Sequence, residues 1–211
     1  MNMDQMVVVY MNHIGTLAPW IDETVVFFAQ YFPYVVVLLF VVFVWRWGRH
    51  PLSFSSYRSC TPFASEDGRS RSCEAPSIRF SPSKEGERLR LVVEGIGAAI
   101  IARGFVEVIR FFFHRPRPFA DNPAIISLLN ETSYSFPSGH AAFFFALSTV
   151  VYIYNKRWGV WFFIASSVIG FARIMAGVHY LTDIIGGAVL GIVVGWGVNI
   201  YFAGKKLDNS S

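Results

Sequence analysis

The sequence predicts an all-α integral membrane bundle of about five transmembrane helices, on three observations. Charged residues are only 15% of the 211-residue chain, against 54% hydrophobic and 17% aromatic, where an average soluble domain carries roughly 25% charged residues. Residues 24–45, 91–113 and 183–203 each approach the roughly 20 apolar residues that cross a hydrocarbon core of about 30 Å. Residues 140–154 and 158–176 are shorter or interrupted, yet apolar enough to span when tilted or sheltered by neighbours.

Ahead of the first span, residues 5–18 read as a short amphipathic or interfacial segment. Asp4, Asp22 and Glu23 with no Lys or Arg are the wrong sign for the n-region of a cleaved leader. Residues 1–50 are therefore an N-terminal interfacial segment plus the first helix. A polar loop follows, drawn here over residues 51–88. Its stretch 51–83 is Ser-rich, Pro-interrupted and poor in aliphatics, too polar to offset its ordering entropy by burial. Cys60 and Cys73 fall inside it and form no recognisable zinc pattern. Residues 89–203 form a core of four further helices, and 204–211 a short tail.

The second helix reaches Phe111-Phe112-Phe113 and is stopped by His114-Arg115-Pro116-Arg117-Pro118, because a proline disfavours helix at the residue before it. The third starts after Pro137-Ser138-Gly139, with Ser138 at or near its N-cap and several free N–H groups facing outward. The fifth starts near Thr182-Asp183, and its Gly187, Gly191 and Gly195 form a small-residue stripe suited to close helix contact.

Cations between the first two spans (Arg46 to Arg90), at Lys156-Arg157 and at Lys205-Lys206 all fall on one side of a five-span bundle. The positive-inside rule assigns that side to the cytoplasm of a plasma (inner) membrane. The loops carrying Arg117, Ser138 and His179 then face the extracytoplasmic side.

Those loops hold ionisable groups next to apolar spans, where charge is expensive and marks function. His179 and Asp183 are four apart, so a carboxylate can orient one ring nitrogen and leave the other free for attack. Arg173 and Arg117 offer planar, permanently charged guanidiniums to phosphate oxygens. The Ser138 hydroxyl, the Gly139 N–H and Arg110 complete an anion cradle at a helix N-terminus. His140 is a second imidazole, free to protonate a leaving oxygen. The set suits a phosphate ester, with His179 as nucleophile and His140 as acid. A metal site built from the same histidines and Asp183 is disfavoured, because converging arginines attract an anion and repel a divalent cation. Arg115, outside this set, reads as a lipid-headgroup contact or a snorkelling side chain.

The segments Arg110-x6-Arg117-Pro118, Pro137-Ser138-Gly139-His140 and Arg173-x5-His179-x3-Asp183 resemble the three signature motifs of the type 2 phosphatidic acid phosphatase superfamily. The resemblance covers residues 89–203. Arg110 stands where the family has Lys, and Ala172 where it has Ser. Asn12-His13, the Trp20-Ile21-Asp22 turn and Phe32-Pro33-Tyr34 are similar to the bacitracin-resistance type of bacterial undecaprenyl pyrophosphate phosphatase. The resemblance implies a metal-independent lipid phosphatase without cofactor. It would cleave the terminal phosphate of a lipid (pyro)phosphate through phospho-His179, with undecaprenyl pyrophosphate favoured over phosphatidic acid or phosphatidylglycerol phosphate. It implies no nucleic-acid partner. A vanadate-dependent haloperoxidase shares the cradle but is soluble, and a non-catalytic lipid-binding protein needs neither nucleophile nor acid.

Overall fold

The computed structural model describes residues 3–47 and 84–208, and among these the chain is helical with no strand, as predicted. The helices are α1 (Met3–Gly15), α2 (Pro19–Val26), which continues through a π-helical segment (Phe27–Tyr31) into α3 (Phe32–Trp47), then α4 (Lys84–Phe112), α5 (Pro118–Asp121), α6 (Gly139–Tyr154), α7 (Lys156–Met175) and α8 (Leu181–Asp208). Three are long and apolar enough to cross a membrane: the run Pro19–Trp47, α7, and Leu181–Lys205 of α8. The other two helices read as spans depart from that pattern for visible reasons. α6 is apolar but has 16 residues, and the 29-residue α4 carries Glu94, Arg103, Glu107 and Arg110. α4 begins at Lys84, so residues 84–88 are helix instead of loop. Residues 51–83, with both cysteines, lie outside the described residues.

α6 is the centre of the bundle. Its Ala142, Ala146, Leu147, Val150 and Val151 are buried against Ala98, Ala102 and Val106 of α4, Phe162 and Ile169 of α7, and Phe40 and Phe43 of α3. Phe40 meets Phe162 nearly edge-on at 6.5 Å, and Phe43 meets Trp158 at 5.8 Å. Lipid tails are as apolar as these side chains, so close packing and interhelical hydrogen bonds hold such helices together. Ser148 and Ser166 supply one hydrogen bond between α6 and α7, at 2.9 Å. The fully buried Glu94 is satisfied by Arg90 on one oxygen and by the Asn199 amide, 3.0 Å away, on the other.

The glycine stripe packs as its spacing predicts. A Cβ on Gly187, Gly191 or Gly195 would come within 2.5, 2.4 or 2.8 Å of the carbonyl oxygens of Ser138, Ala142 and Ala146. α8 thus lies backbone to backbone on α6, and the Ser138 N–H reaches the Asp183 carbonyl at 3.0 Å. Gly191→Val should lower the melting temperature in detergent by about 5–10 °C, the scale of overpacking a close contact. Gly197→Val, at a position with nothing within 4 Å, should not; equal melting of the two variants would refute the packing role.

α1 is more than an interfacial segment. Its buried Asn12 donates to the carbonyls of Ile126 (2.8 Å) and Met175 (2.9 Å) and accepts from the Ile126 N–H (2.9 Å). Gly177 (φ +74°) makes the turn beside it, where a Cβ would sit 3.1 Å from the Asn12 amide and 2.7 Å from Ile125. One side chain thereby ties the N-terminal helix to the loop before α6 and to the α7–α8 turn.

Candidate active site

The α7–α8 turn places a histidine over a carboxylate. His179 is 1% exposed and Asp183 fully buried, with His179 Nδ1 3.5 Å from Asp183 Oδ2. That separation is longer than a good hydrogen bond, and His179 Nδ1 has no hydrogen-bond partner. Asp183 is already held on both oxygens: Oδ2 accepts from the Ser135 hydroxyl and the Tyr180 N–H (2.8 Å), and Oδ1 from Arg115 Nη1 (2.8 Å). Burial pushes the His179 imidazole down to about 4; Asp183 pulls it up, and Arg173 and Arg117 push it lower.

Arg115 has partners within the protein that the sequence reading did not foresee. Besides Asp183 it donates to Thr182 Oγ1 (2.7 Å), pairs with Asp4 of α1 (2.7 Å), and lies 3.9 Å over the Tyr180 ring. All these partners are remote in sequence, so nothing beside Arg115 in the chain reveals them.

Two further arginines of this end, Arg117 and Arg173, are buried and share one carboxylate. Arg117 donates to the carbonyls of Ser133 (2.6 Å) and Val178 (2.9 Å), to Ser133 Oγ (2.9 Å) and to Glu131 (3.1 Å). Arg173, from the end of α7, pairs with the other oxygen of Glu131 and reaches the Ala29 carbonyl at 3.3 Å. Ala29 lies in the π-helical segment, a local irregularity frequent at functional sites. Burial acts to raise the Glu131 pKa, but Arg173 and Arg117 outweigh it and hold the carboxyl below its ordinary value. Burial lowers the Arg117 guanidinium to about 10, with Glu131 opposing and Arg173 and Arg110 reinforcing.

Ser138 is the N-cap of α6, and its hydroxyl makes no capping bond. Among the described residues five buried side-chain polar atoms lack a partner, and three of them are Ser138 Oγ, Arg173 Nε and His179 Nδ1. Burying an unpaired polar atom is costly, and these three come from the α6 N-terminus, the end of α7 and the α7–α8 turn. His140 follows in the first turn of α6, within electrostatic reach of Arg173, His179, Arg103 and Arg110. Arg110 donates to the Pro137 carbonyl and to Ser133 Oγ, each at 3.3 Å. Among the described residues no three His, Cys, Asp or Glu side chains are grouped to hold a metal.

The structure thus brings His140, His179, Asp183, Arg110, Arg117, Ser138, Gly139 and Arg173 to one end of the bundle. Sequence reasoning missed Glu131, Ser135 and Arg115. It also missed a row on α4, where Arg103 pairs with Glu107, which lies 3.5 Å from Arg110.

The model of the PAP2 superfamily matches residues 92–206. The chain is 29% identical over 104 residues to the bacitracin transport permease protein BcrC of Bacillus licheniformis, covering 49% of this chain and 51% of that protein. It is 30% identical over 89 residues to the undecaprenyl-diphosphatase BcrC of Bacillus subtilis, covering 42% and 46%. The chain thus spans about half the length of these curated relatives. The crystal structure of Aquifex aeolicus LpxE superposes with a TM-score of 0.66 at 22% identity, over 95% of this chain and 97% of that one, a likeness of fold. A bundle of this shape, a motif set in this order and a family model spanning more than half the chain agree: the protein is a member of the PAP2 superfamily.

Proposed function

We propose that this chain is a metal-independent membrane lipid phosphatase. It removes the terminal phosphate of a lipid (pyro)phosphate at the extracytoplasmic face, with undecaprenyl pyrophosphate the favoured substrate. The observation that carries the reading is the cluster of unpartnered buried atoms on Ser138, Arg173 and His179, set beside two arginines whose shared partner is a carboxylate. A phosphoryl group supplies oxygens to Ser138 Oγ and Arg173 Nε, and it competes with Glu131 for Arg117 and Arg173.

The chemistry follows from which atoms are free. His179 Nδ1 faces Asp183, so Nε2 attacks phosphorus, and a shift of about 0.5 Å makes the Nδ1–Asp183 hydrogen bond. As the N–P bond forms, the P–O bond to the leaving group breaks, and His140, whose protonated form the negative charge of the bound phosphate favours, gives that oxygen a proton. Asp183 stabilises the imidazolium, and Arg117, Arg173, Ser138 Oγ and the N–H groups of the α6 N-terminus take the charge on the equatorial oxygens. Water, deprotonated by His140, then attacks phosphorus from the open side, releasing phosphate and restoring His179.

The α4 helix enters this end through Arg110, and Phe111, Phe112 and Phe113 beyond it are exposed. The substrate preference rests on the similarity to an undecaprenyl-diphosphatase. A phosphate-release panel with the purified chain tests it: turnover of undecaprenyl pyrophosphate should exceed that of phosphatidic acid and phosphatidylglycerol phosphate by about tenfold or more in kcat/KM, the scale of one well-placed charged contact. EDTA should leave all rates unchanged. A preference for phosphatidic acid, or loss with EDTA and rescue by a divalent cation, would overturn the respective part.

A further inference from the structure

Arg103 sits where the motifs place nothing. Its guanidinium lies directly against the first residue of α6, where a Cβ on Gly139 would come within 2.9 Å of Arg103 Cζ and Nη1 and 3.0 Å of Nε. It is half-exposed, on a helix otherwise read as spanning, and its pairing with Glu107 takes Nη1. An exposed i, i+4 pair on a helix contributes little to stability, whereas ionisable groups on a span are retained for a use. Glu107 lies between two guanidiniums, Arg103 and Arg110, so the row keeps an excess positive charge.

Its position sets the use. Arg103 precedes Arg110 by two turns of α4, about 10 Å of helix rise, on the side of the apolar run. A lipid substrate with its terminal phosphate at His179 must leave the site toward the apolar side, past His140 and the α6 N-terminus. The group crossing there is a neutral ester linkage in a lipid monophosphate, and a second, anionic phosphoryl group in a lipid pyrophosphate. We infer that Arg103, stacked on Gly139, receives the phosphoryl group that stays on the lipid and so selects pyrophosphates over monophosphates. The inference rests on the phosphatase reading above and assigns the site its substrate class.

Farnesyl pyrophosphate and farnesyl monophosphate share one tail and isolate the difference. With purified full-length protein in detergent, Arg103→Gln should lower kcat/KM about 10- to 100-fold on the pyrophosphate, mainly through KM, the scale of a lost charge-assisted contact. On the monophosphate the fall should be no more than about threefold by the same measure, and Arg103→Lys should recover part of the pyrophosphate loss. Equal losses on both substrates, or none on the pyrophosphate, would overturn the inference. Methylenediphosphonate supplies a readout that needs no turnover. It should raise the melting temperature of wild type more than inorganic phosphate does, and Arg103→Gln should erase that difference. If wild type cleaves neither lipid, the phosphatase reading fails, and the diphosphonate shift still decides for or against Arg103.

Discussion

His179→Ala is expected to lower phosphate release by about ten-thousand-fold or more, the scale at which loss of a nucleophile leaves only binding and charge stabilisation. The purified variant should retain its helical signal and elute as wild type does, and it should no longer trap radiolabelled phosphate on rapid alkaline detergent quench. Appreciable residual turnover with a labelled protein would remove His179 from the nucleophile's role. The same variant separates a second consequence. The imidazole titrates near 4 in the folded chain, chiefly because it is buried, and near 6.5 when unfolded. Between those values the unfolded chain binds more protons, so stability rises with pH across the window and is lost as pH falls from 6.5 toward 4. Full protonation of the unfolded state alone costs about 3 kcal/mol. Melting temperature should therefore fall less steeply with acid in His179→Ala than in wild type. Parallel slopes would show that the imidazole is not held neutral.

Asp183→Asn should lower kcat by about a thousand- to ten-thousand-fold with little change in KM, the scale seen when a histidine loses its orienting carboxylate. The side chain keeps its shape but presents an amide where the carboxylate now accepts from Ser135, the Tyr180 N–H and Arg115. One N–H group must then face a donor, and the developing imidazolium loses its counter-charge. Full activity in Asp183→Asn would make Asp183 a capping residue of α8 and leave His179 without a positioning partner. A proportional loss of folded protein would instead assign the carboxylate to stability alone, which the melting temperature measures directly.

How much of this site could be read in advance differs residue by residue. His179 and Asp183 stand four apart across a helix start, so their pairing is a local event that spacing encodes. Ser138 and Gly139 precede an apolar run, and helix N-termini expose N–H groups wherever they occur. Gly187, Gly191 and Gly195 report the contact of α8 with α6 because only a missing Cβ lets two backbones approach. Glu131 and Arg115 were illegible for the opposite reason. Glu131 sits in a polar loop where any carboxylate looks solvated, and its meaning comes from Arg117 and Arg173 arriving from two other segments. Arg115 looks like a membrane-edge cation until α1 brings Asp4 and α8 brings Asp183 to either side of it.

The amino-acid sequence by itself determined the solvent, the helices and the chemical class of the site. Hydrophobic length, proline stops and the small set of side chains able to hold a phosphate are all properties of short stretches. Only the tertiary structure decided which charges share a partner, because Coulomb and hydrogen-bond energies depend on distances between segments that lie far apart in the chain. It placed Arg115 behind Asp183, Glu131 between Arg117 and Arg173, and the Arg103 guanidinium on the bare backbone of Gly139.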